Sequence, residues 1–170
     1  MKKVKKKINS KRKGSKAELE LAKLLTGRFG MPFARVGVTS GARPKQVKLD
    51  EQAAKTFTGD IITPKEFKFS IECKAVNINV DLLEPSALLE KFLAQAKHDA
   101  ESIGKQPMLC WKRNRKGWIA AVRVDAFEHC KYPEYFAGYR LWVVCRLERL
   151  LGIQDEHFWF DILTNERGKQ

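Results

Sequence analysis

The sequence predicts an α/β domain in which a mixed β-sheet is flanked by helices. Two stretches carry apolar residues every three or four positions, as helices do, and several others alternate between apolar and polar residues, as strands do. Their order is helix, strands, helix and strands, which is typical of an α/β fold. The chain of 170 residues is 44% hydrophobic, with 10 Phe and 4 Trp. That composition is sufficient for one folded core without disulfide bonds.

A first helix is expected from Ser15 to about Arg28. Its apolar stripe consists of Ala17, Leu21, Leu24 and Leu25. Ser15 and Glu18 have the spacing of a capping box, which would start the helix at Ser15. A short strand is expected at 33–38. Residues 39–56 are rich in Lys, Gln, Gly and Pro, which predicts a long exposed loop, and loops of this length are often functional.

The clearest strand is predicted at Phe67–Ala75, after a shorter one at Thr58–Ile62. Apolar residues alternate with polar ones along it: Phe67, Phe69, Ile71 and Cys73 against Lys68, Ser70, Glu72 and Lys74. We therefore expect one face of this strand in the core and a polar opposite face. A second helix is expected from Pro85 to about Ser102. Its inner stripe consists of Leu88, Leu89, Phe92, Leu93 and Ala96.

Four more strands are predicted after the second helix. Strands are expected at 107–112, 117–124, 140–145 and 158–162, and a basic turn from Lys112 to Lys116 separates the first two. The aromatic residues expected in the core, with a dimer surface as the alternative, are Tyr132, Tyr135, Phe136, Trp142 and Trp159. No two of the four cysteines have zinc-ligand spacing, so they are expected to be buried free thiols in a reducing compartment.

Positive charge is concentrated at the N-terminus. The formal net charge is +13, and residues 1–16 hold 9 of the 33 Lys and Arg residues and no Asp or Glu. We predict a basic flexible arm, 1–14, attached to a single domain, 15–170. Counterion release favours binding of such an arm to nucleic acid, whereas a lipid surface would call for an amphipathic apolar face. The alternatives are a solvated tail and a localisation signal. No stretch predicts a membrane span or signal peptide, so an intracellular protein without a membrane partner is expected.

Two carboxylates and a lysine form the candidate catalytic centre. Glu72 and Lys74 stand two residues apart on one strand, so their side chains lie on the same side, roughly 7 Å apart. Asp60 lies in the preceding predicted strand, and a hairpin between the two strands would bring it beside Glu72. Such carboxylates suit Mg²⁺ or Mn²⁺, which can activate water for phosphodiester hydrolysis while Lys74 orients that water. Taken alone, Glu72 and Lys74 could equally be an ordinary solvent-facing pair.

The order of these motifs resembles a known family. Gly14-Ser15-x-x-Glu18, then Gly59-Asp60, then Ile71-Glu72-Cys73-Lys74 resembles the PD-(D/E)xK nuclease superfamily, and more narrowly the archaeal-type Holliday junction resolvases of archaea and some phages. The resemblance covers roughly residues 11–125. Its other components are Arg12-Lys13-Gly14-Ser15, Ser40-Gly41, Gln95 and the strand at 107–112. It implies a restriction-endonuclease-like core. One departure is Gly59, which stands where the superfamily has proline.

The resemblance also implies roles at the site. Asp60 and Glu72 would be the metal carboxylates, and the main-chain carbonyl of Cys73 would be a further ligand. Lys74 would position water. The implied cofactor is Mg²⁺, with Mn²⁺ as a substitute, and no small-molecule cofactor is expected.

Further residues receive a role from the resemblance and keep an alternative from the sequence. Glu18 would be a second acidic catalytic residue and a candidate metal ligand, or only part of a capping box. Ser40 would reach the scissile phosphate, or be only a turn residue. Gln95 would lie near the metal as a candidate ligand, or bond to backbone. The implied DNA-binding residues, some of which could be merely solvated, are Arg12, Lys13, Lys16, Arg35, Arg43 and Lys45.

The function expected from this pattern is resolution of four-way DNA junctions by a homodimer. Paired nicks on opposing strands require two equivalent sites, which a two-fold symmetric dimer supplies. One alternative is another PD-(D/E)xK DNA endonuclease or nickase, with the same chemistry on a different DNA substrate. An alternative of another class is a nucleic-acid-binding module without catalytic activity.

Overall fold

The computed structural model describes residues 10–36, 59–78 and 86–161. Its first helix, α1, spans Ser10–Phe29 and so begins before the predicted start at Ser15. Lysine and arginine favour helix, and one glycine within the segment does not end it. The predicted capping box is therefore wrong: Ser15 lies inside the helix, and its Oγ accepts a hydrogen bond from Arg35. The helix buries Leu21 and Leu25, whereas Leu24 of the predicted stripe is 43% exposed.

Two very short strands follow α1. β1 (Ala34–Arg35) and β2 (Ile61–Ile62) pair antiparallel and form a separate two-stranded sheet. The predicted strand at 33–38 is thus confirmed only in its first part, and its last two residues lie outside the described ranges. The predicted loop at 39–56 also lies outside them.

The main sheet has five strands in the order β3-β4-β5-β7-β6. They are β3 (Phe69–Lys74), β4 (Gln106–Arg113), β5 (Gly117–Arg123), β6 (Ala137–Tyr139) and β7 (Trp142–Arg146). β3 and β4 are parallel and the other pairs are antiparallel, so the predicted mixed sheet is confirmed. The crossover from β3 to β4 contains α2 (Ala87–Glu101), which the side chain of Ser86 caps by accepting a bond from Leu89 N–H.

Helices cover both faces of this sheet. α1 packs on the face that carries Phe69 and Ile71, and α2 packs on the other face through Leu89 and Leu93. The expected polar face of β3 is therefore wrong, because α2 covers it: Glu72 is only 4% exposed. The predicted inner stripe of α2 is wrong at Leu88, which faces solvent.

The C-terminal part differs most from expectation. Residues 158–162 form no strand within the described residues: α4 (Glu156–Trp159) follows α3 (Leu147–Leu150), and Phe160 makes a single bridge to Phe67. The core prediction holds for Trp142 and Trp159 but is wrong for the three exposed aromatic residues Tyr132, Tyr135 and Phe136. The four cysteines are free thiols, three of them buried and Cys130 half-buried. Among the helices described, none combines the length and apolar character needed to cross a bilayer.

Candidate active site

Asp60 is placed beside β3 by main-chain hydrogen bonds. Its N–H donates to the carbonyl of Ile71 (2.9 Å), and its own carbonyl accepts from Val36 N–H (3.0 Å). The predicted hairpin is wrong in form, because β2 pairs with β1 and not with β3. The juxtaposition that the hairpin was expected to produce nevertheless forms, since Asp60 lies against the open edge of β3.

Gly59 makes this close approach possible. Its φ is +87°, and a Cβ at this position would lie 2.7 Å from the carbonyl oxygen of Ile71. Proline holds φ near −65° and cannot adopt this conformation. The glycine that stands in place of the superfamily's proline is thus required by the local backbone.

The side chain of Asp60 is also held by the main chain. Its Oδ2 accepts a hydrogen bond from Cys73 N–H (2.8 Å). In a strand, the N–H and C=O groups of one residue point to the same side, and residues alternate between sides. Because Ile71 C=O and Cys73 N–H both face Asp60, the carbonyl of Cys73 faces the same edge. The Asp60 carboxylate and the Cys73 carbonyl therefore share one side of β3.

Glu72 is held by side chains under α2. Gln95 Nε2 donates to Glu72 Oε1 (2.8 Å), and Lys74 Nζ contacts the same oxygen. The pKa of Glu72 is raised to about 7, mainly by burial and also by the negative charge of Asp60, while Lys74 opposes both effects. The two carboxylates thus lie close enough to repel each other.

A divalent cation fits this arrangement chemically. Two carboxylates and a carbonyl are hard oxygen donors, and a cation near both carboxylates would offset their repulsion. Within 10–36, 59–78 and 86–161, no group of three or more His, Cys, Asp or Glu residues could hold a metal ion. A cation bound here would therefore complete its coordination with water and phosphate oxygens, as Mg²⁺ usually does.

Lys74 lies next to Glu72. Its ammonium group contacts Glu72 and lies 5.3 Å from the centre of the Phe92 ring. Sequence reasoning placed Phe92 in the core and missed this contact. The signal was available, because Phe92 precedes Gln95 by three residues and so shares a face of α2 with it.

Glu18 and Arg35 bind each other. Arg35 Nε lies 3.1 Å from Glu18 Oε2 and its Nη2 donates to Ser15 Oγ (3.2 Å), which ties β1 to α1. Glu18 is thus paired with Arg35, and its role as a second acidic catalytic residue and candidate metal ligand stays a prediction. Glu18 lies near Cys73, since burial raises the pKa of the Cys73 thiol and the charges of Asp60 and Glu18 add to that rise.

The remaining predicted residues divide into two groups. Arg12 and Lys16 are exposed on the N-terminal half of α1, and Lys13 is half-buried there. The others lie outside the described residues: Ser40, Arg43 and Lys45.

The comparisons with known proteins give one result. The sequence model of the family described as "Phage putative PDDEXK endonuclease" matches residues 9–138. This range contains every residue predicted at the site. The mixed sheet with flanking helices agrees with the restriction-endonuclease-like core expected from that chemistry. No match was found among curated proteins or among solved structures.

Proposed function

We propose that the chain, which belongs to the phage PDDEXK endonuclease family, is a Mg²⁺-dependent DNA endonuclease that resolves four-way junctions. The observation that carries the catalytic part is the convergence of Asp60 and Glu72 on the Cys73 segment of β3. Two repelling carboxylates, one buried and one half-buried, are costly for folding, and binding a cation is the function that would retain them.

Asp60, Glu72 and the Cys73 carbonyl are proposed to hold Mg²⁺, for which Mn²⁺ could substitute. Bound there, the ion would polarise the scissile phosphate and lower the pKa of a coordinated water. Lys74 is placed by Glu72 and Phe92 to orient the attacking water and to stabilise charge on the phosphate. Gln95 fixes the Glu72 carboxylate by bonding to Oε1, which leaves Oε2 for the cation.

Two further residues complete the proposed catalytic set. Glu18 would act as a second acidic group, and its ion pair with Arg35 fixes the carboxylate between α1 and β1. Ser40 would approach the scissile phosphate, as the resemblance to the resolvases implies.

DNA is proposed to bind mainly through its phosphates. Arg12, Lys13 and Lys16 lie on α1, whose N-terminal half has no acidic residue before Glu18. Arg43 and Lys45 would extend this surface. Arg35 would contribute once its bond to Glu18 is exchanged for a phosphate. Such contacts fix the position of DNA without reading its bases, which suits recognition by shape.

The junction is proposed as substrate, and a homodimer as the active form, because paired nicks require two equivalent sites. The order of motifs along α1, β3 and α2 resembles that of the archaeal-type resolvases, and this favours the junction over linear DNA. Another PD-(D/E)xK endonuclease or nickase, with the same centre and a different DNA substrate, is the second candidate, and family membership fits it equally.

The test is a cleavage assay on four-way, nicked and linear DNA of the same sequence, with and without Mg²⁺. We expect paired nicks on the junction only when Mg²⁺ is present. Asp60→Asn should lower the rate at least about 10³-fold while binding persists, because one metal carboxylate is lost. Cleavage of linear DNA at the same rate would favour the second candidate. Equal cleavage by wild type and Asp60→Asn would refute the proposed centre.

A further inference from the structure

The turn between β4 and β5 is strongly basic. It comprises Lys112, Arg113, Asn114, Arg115 and Lys116, which we call the basic turn. Lys116 N–H donates to the carbonyl of Arg113 (3.3 Å), and Arg113 pairs with Gly117 across the hairpin. Four of the five side chains are cationic and none is acidic, so the tip is a compact positive surface.

The basic turn lies at the catalytic end of the sheet. β3 and β4 are parallel, and Lys74 pairs with Trp111, the residue immediately before the turn. With about 3.3 Å per residue along a strand and about 4.8 Å between strands, Lys112 lies roughly 6 Å from Lys74, and Arg115 and Lys116, toward β5, lie roughly 12–14 Å from it. The larger separation is close to the roughly 12 Å width of the major groove of DNA, so a phosphate near the cleaved one can reach the turn.

A contact with α1 holds the basic turn in place. Lys112 and Trp118 are cross-strand partners, and both donate to the carboxylate of Glu20 on α1. The bond from Lys112 lowers the pKa of Glu20, and the nearby charge of Lys16 lowers it as well. Lys16, a proposed DNA-binding residue, therefore neighbours the base of the hairpin. The basic surface of α1 continues into the basic turn.

Arg115 has a backbone conformation that glycine and asparagine adopt more readily than arginine. Its φ is +59°, in the left-handed region where glycine or asparagine is less strained than arginine. Arg115 and Lys116 are exposed, and within the described ranges neither has an ion-pair partner. The turn closed by the bond from Lys116 N–H to the Arg113 carbonyl holds Arg115 in this conformation, with its side chain exposed to solvent.

We propose that Arg115 and Lys116 bind the phosphate backbone of DNA next to the cleaved phosphate, a site that rests on the proposed nuclease function. Glu20 and Lys112 are positioning residues, because they hold the turn against α1. The contact is electrostatic and independent of sequence, and it would add one or two neutralised phosphates to those contacted by α1.

The test compares Arg115→Gly with Arg140→Gly in metal-free buffer, where binding is measured without cleavage. Arg140 is matched to Arg115: it is an exposed arginine with a φ of +53°. It lies beside Trp142, which pairs with Arg123 at the other end of β5, about 20 Å from the basic turn. Both substitutions remove one positive charge and relax a left-handed residue. Arg140→Gly also removes the ion pair between Arg140 and Glu90, so a loss of DNA affinity confined to Arg115→Gly reflects the position of Arg115.

Fluorescence anisotropy with labelled junction and duplex across a salt series gives the readout. For Arg115→Gly we expect affinity about three- to tenfold lower on both DNAs, and a slope of log K against log[salt] reduced by about 0.9. Adding Lys116→Ala should reduce the slope by a similar amount again, while Arg140→Gly stays near wild type. The melting temperature of Arg115→Gly should equal or exceed that of wild type, because glycine relieves the left-handed backbone strain at this position.

Two outcomes would overturn this inference: an unchanged affinity and slope for Arg115→Gly, or equal losses for Arg140→Gly. The cleavage assay separates this result from the proposed function. If wild type nicks junctions but Arg115→Gly binds like wild type, only the role of the basic turn fails. If wild type cuts nothing while Arg115→Gly loses affinity and slope, the turn is a DNA site and the nuclease function fails.

Discussion

The two carboxylates at β3 are held in different ways. Asp60 lies at the open edge of the strand, where main-chain groups of Ile71 and Cys73 fix both its backbone and its carboxylate. Glu72 lies on the covered face, where the side chains of Lys74 and Gln95 hold it. One half of the site is therefore determined by backbone geometry, and the other by side-chain packing under α2.

This difference predicts how each half responds to change. Main-chain bonds persist through most substitutions, so the Asp60 half should be sensitive mainly where the backbone itself is strained, at Gly59. A side-chain bond is lost with a single substitution. Replacing Lys74 or Gln95 should therefore weaken the support of Glu72 by one bond at a time. The Glu72 half is also the half where burial has an energetic cost, because ionised Glu72 is poorly solvated there.

The largest effect is expected from Gly59→Ala. The added Cβ would lie 2.7 Å from the Ile71 carbonyl, so the bond between Asp60 N–H and that carbonyl must break or lengthen. We expect cleavage to fall at least about 100-fold, because a displacement of about 1 Å at a catalytic group has effects of that size. The measurement is single-turnover cleavage of the junction with Mg²⁺.

Gly104→Ala is the matched control for this variant. Gly104 also has a left-handed φ, +67°, but a Cβ there meets no atom within 4 Å. Gly104→Ala should lose about 1 kcal/mol of unfolding free energy from backbone strain, Gly59→Ala should lose more because of its contact with Ile71, and only Gly59→Ala should lose cleavage. Equal activity in the two would show that Asp60 does not depend on this backbone approach.

A smaller effect is expected from Gln95→Ala, which removes one of the two bonds to Glu72 Oε1. Partners of metal-binding residues typically contribute about 10- to 100-fold to metal affinity or activity. We expect the Mg²⁺ concentration for half-maximal cleavage to rise by about tenfold, with junction affinity in metal-free buffer unchanged. A loss of junction affinity with an unchanged Mg²⁺ requirement would instead place Gln95 in DNA binding.

The sequence predicted which candidate residues share one side of β3 better than it predicted what surrounds them. Alternation along β3 correctly put Glu72 and Lys74 on one side of the strand, because the side-chain period of a strand is two. Alternation does not reveal what covers each side. Glu72 was expected on a polar face and is buried under α2, since coverage depends on the crossover that follows β3.

Other differences also arise from tertiary contacts. The start of α1 was misplaced because Ser15, which suits an N-cap, is used by Arg35 of β1 instead. A strand was expected at 158–162, yet a one-turn helix capped by Asp155 spans Glu156–Trp159. The Gly59-Asp60 motif was found, but the reason for its glycine is a contact with Ile71, which no local pattern contains.

The last prediction concerns the energetic cost of burying Glu72. Because its pKa in the folded protein is about 7, against an ordinary value of 4.5, the folded state binds the proton more tightly than the unfolded state between these values. Stability of the metal-free protein should therefore fall as pH rises through this window, and the full cost, about 3 kcal/mol or less, applies above pH 7. Glu72→Gln removes the charge, so its melting temperature should match wild type near pH 4.5 and exceed it by several degrees at pH 8.

The surface variant Glu101→Gln, at a side chain 62% exposed, should show no such pH dependence. Saturating Mg²⁺ should stabilise wild type at pH 8 and leave Glu72→Gln almost unchanged, because the cation offsets the cost only where both carboxylates are present. If Glu72→Gln is less stable than wild type at pH 8 without metal, then burial of ionised Glu72 has no net energetic cost. In that event the packing under α2 would favour the ionised carboxylate, and Glu72 would stabilise the fold without any cation.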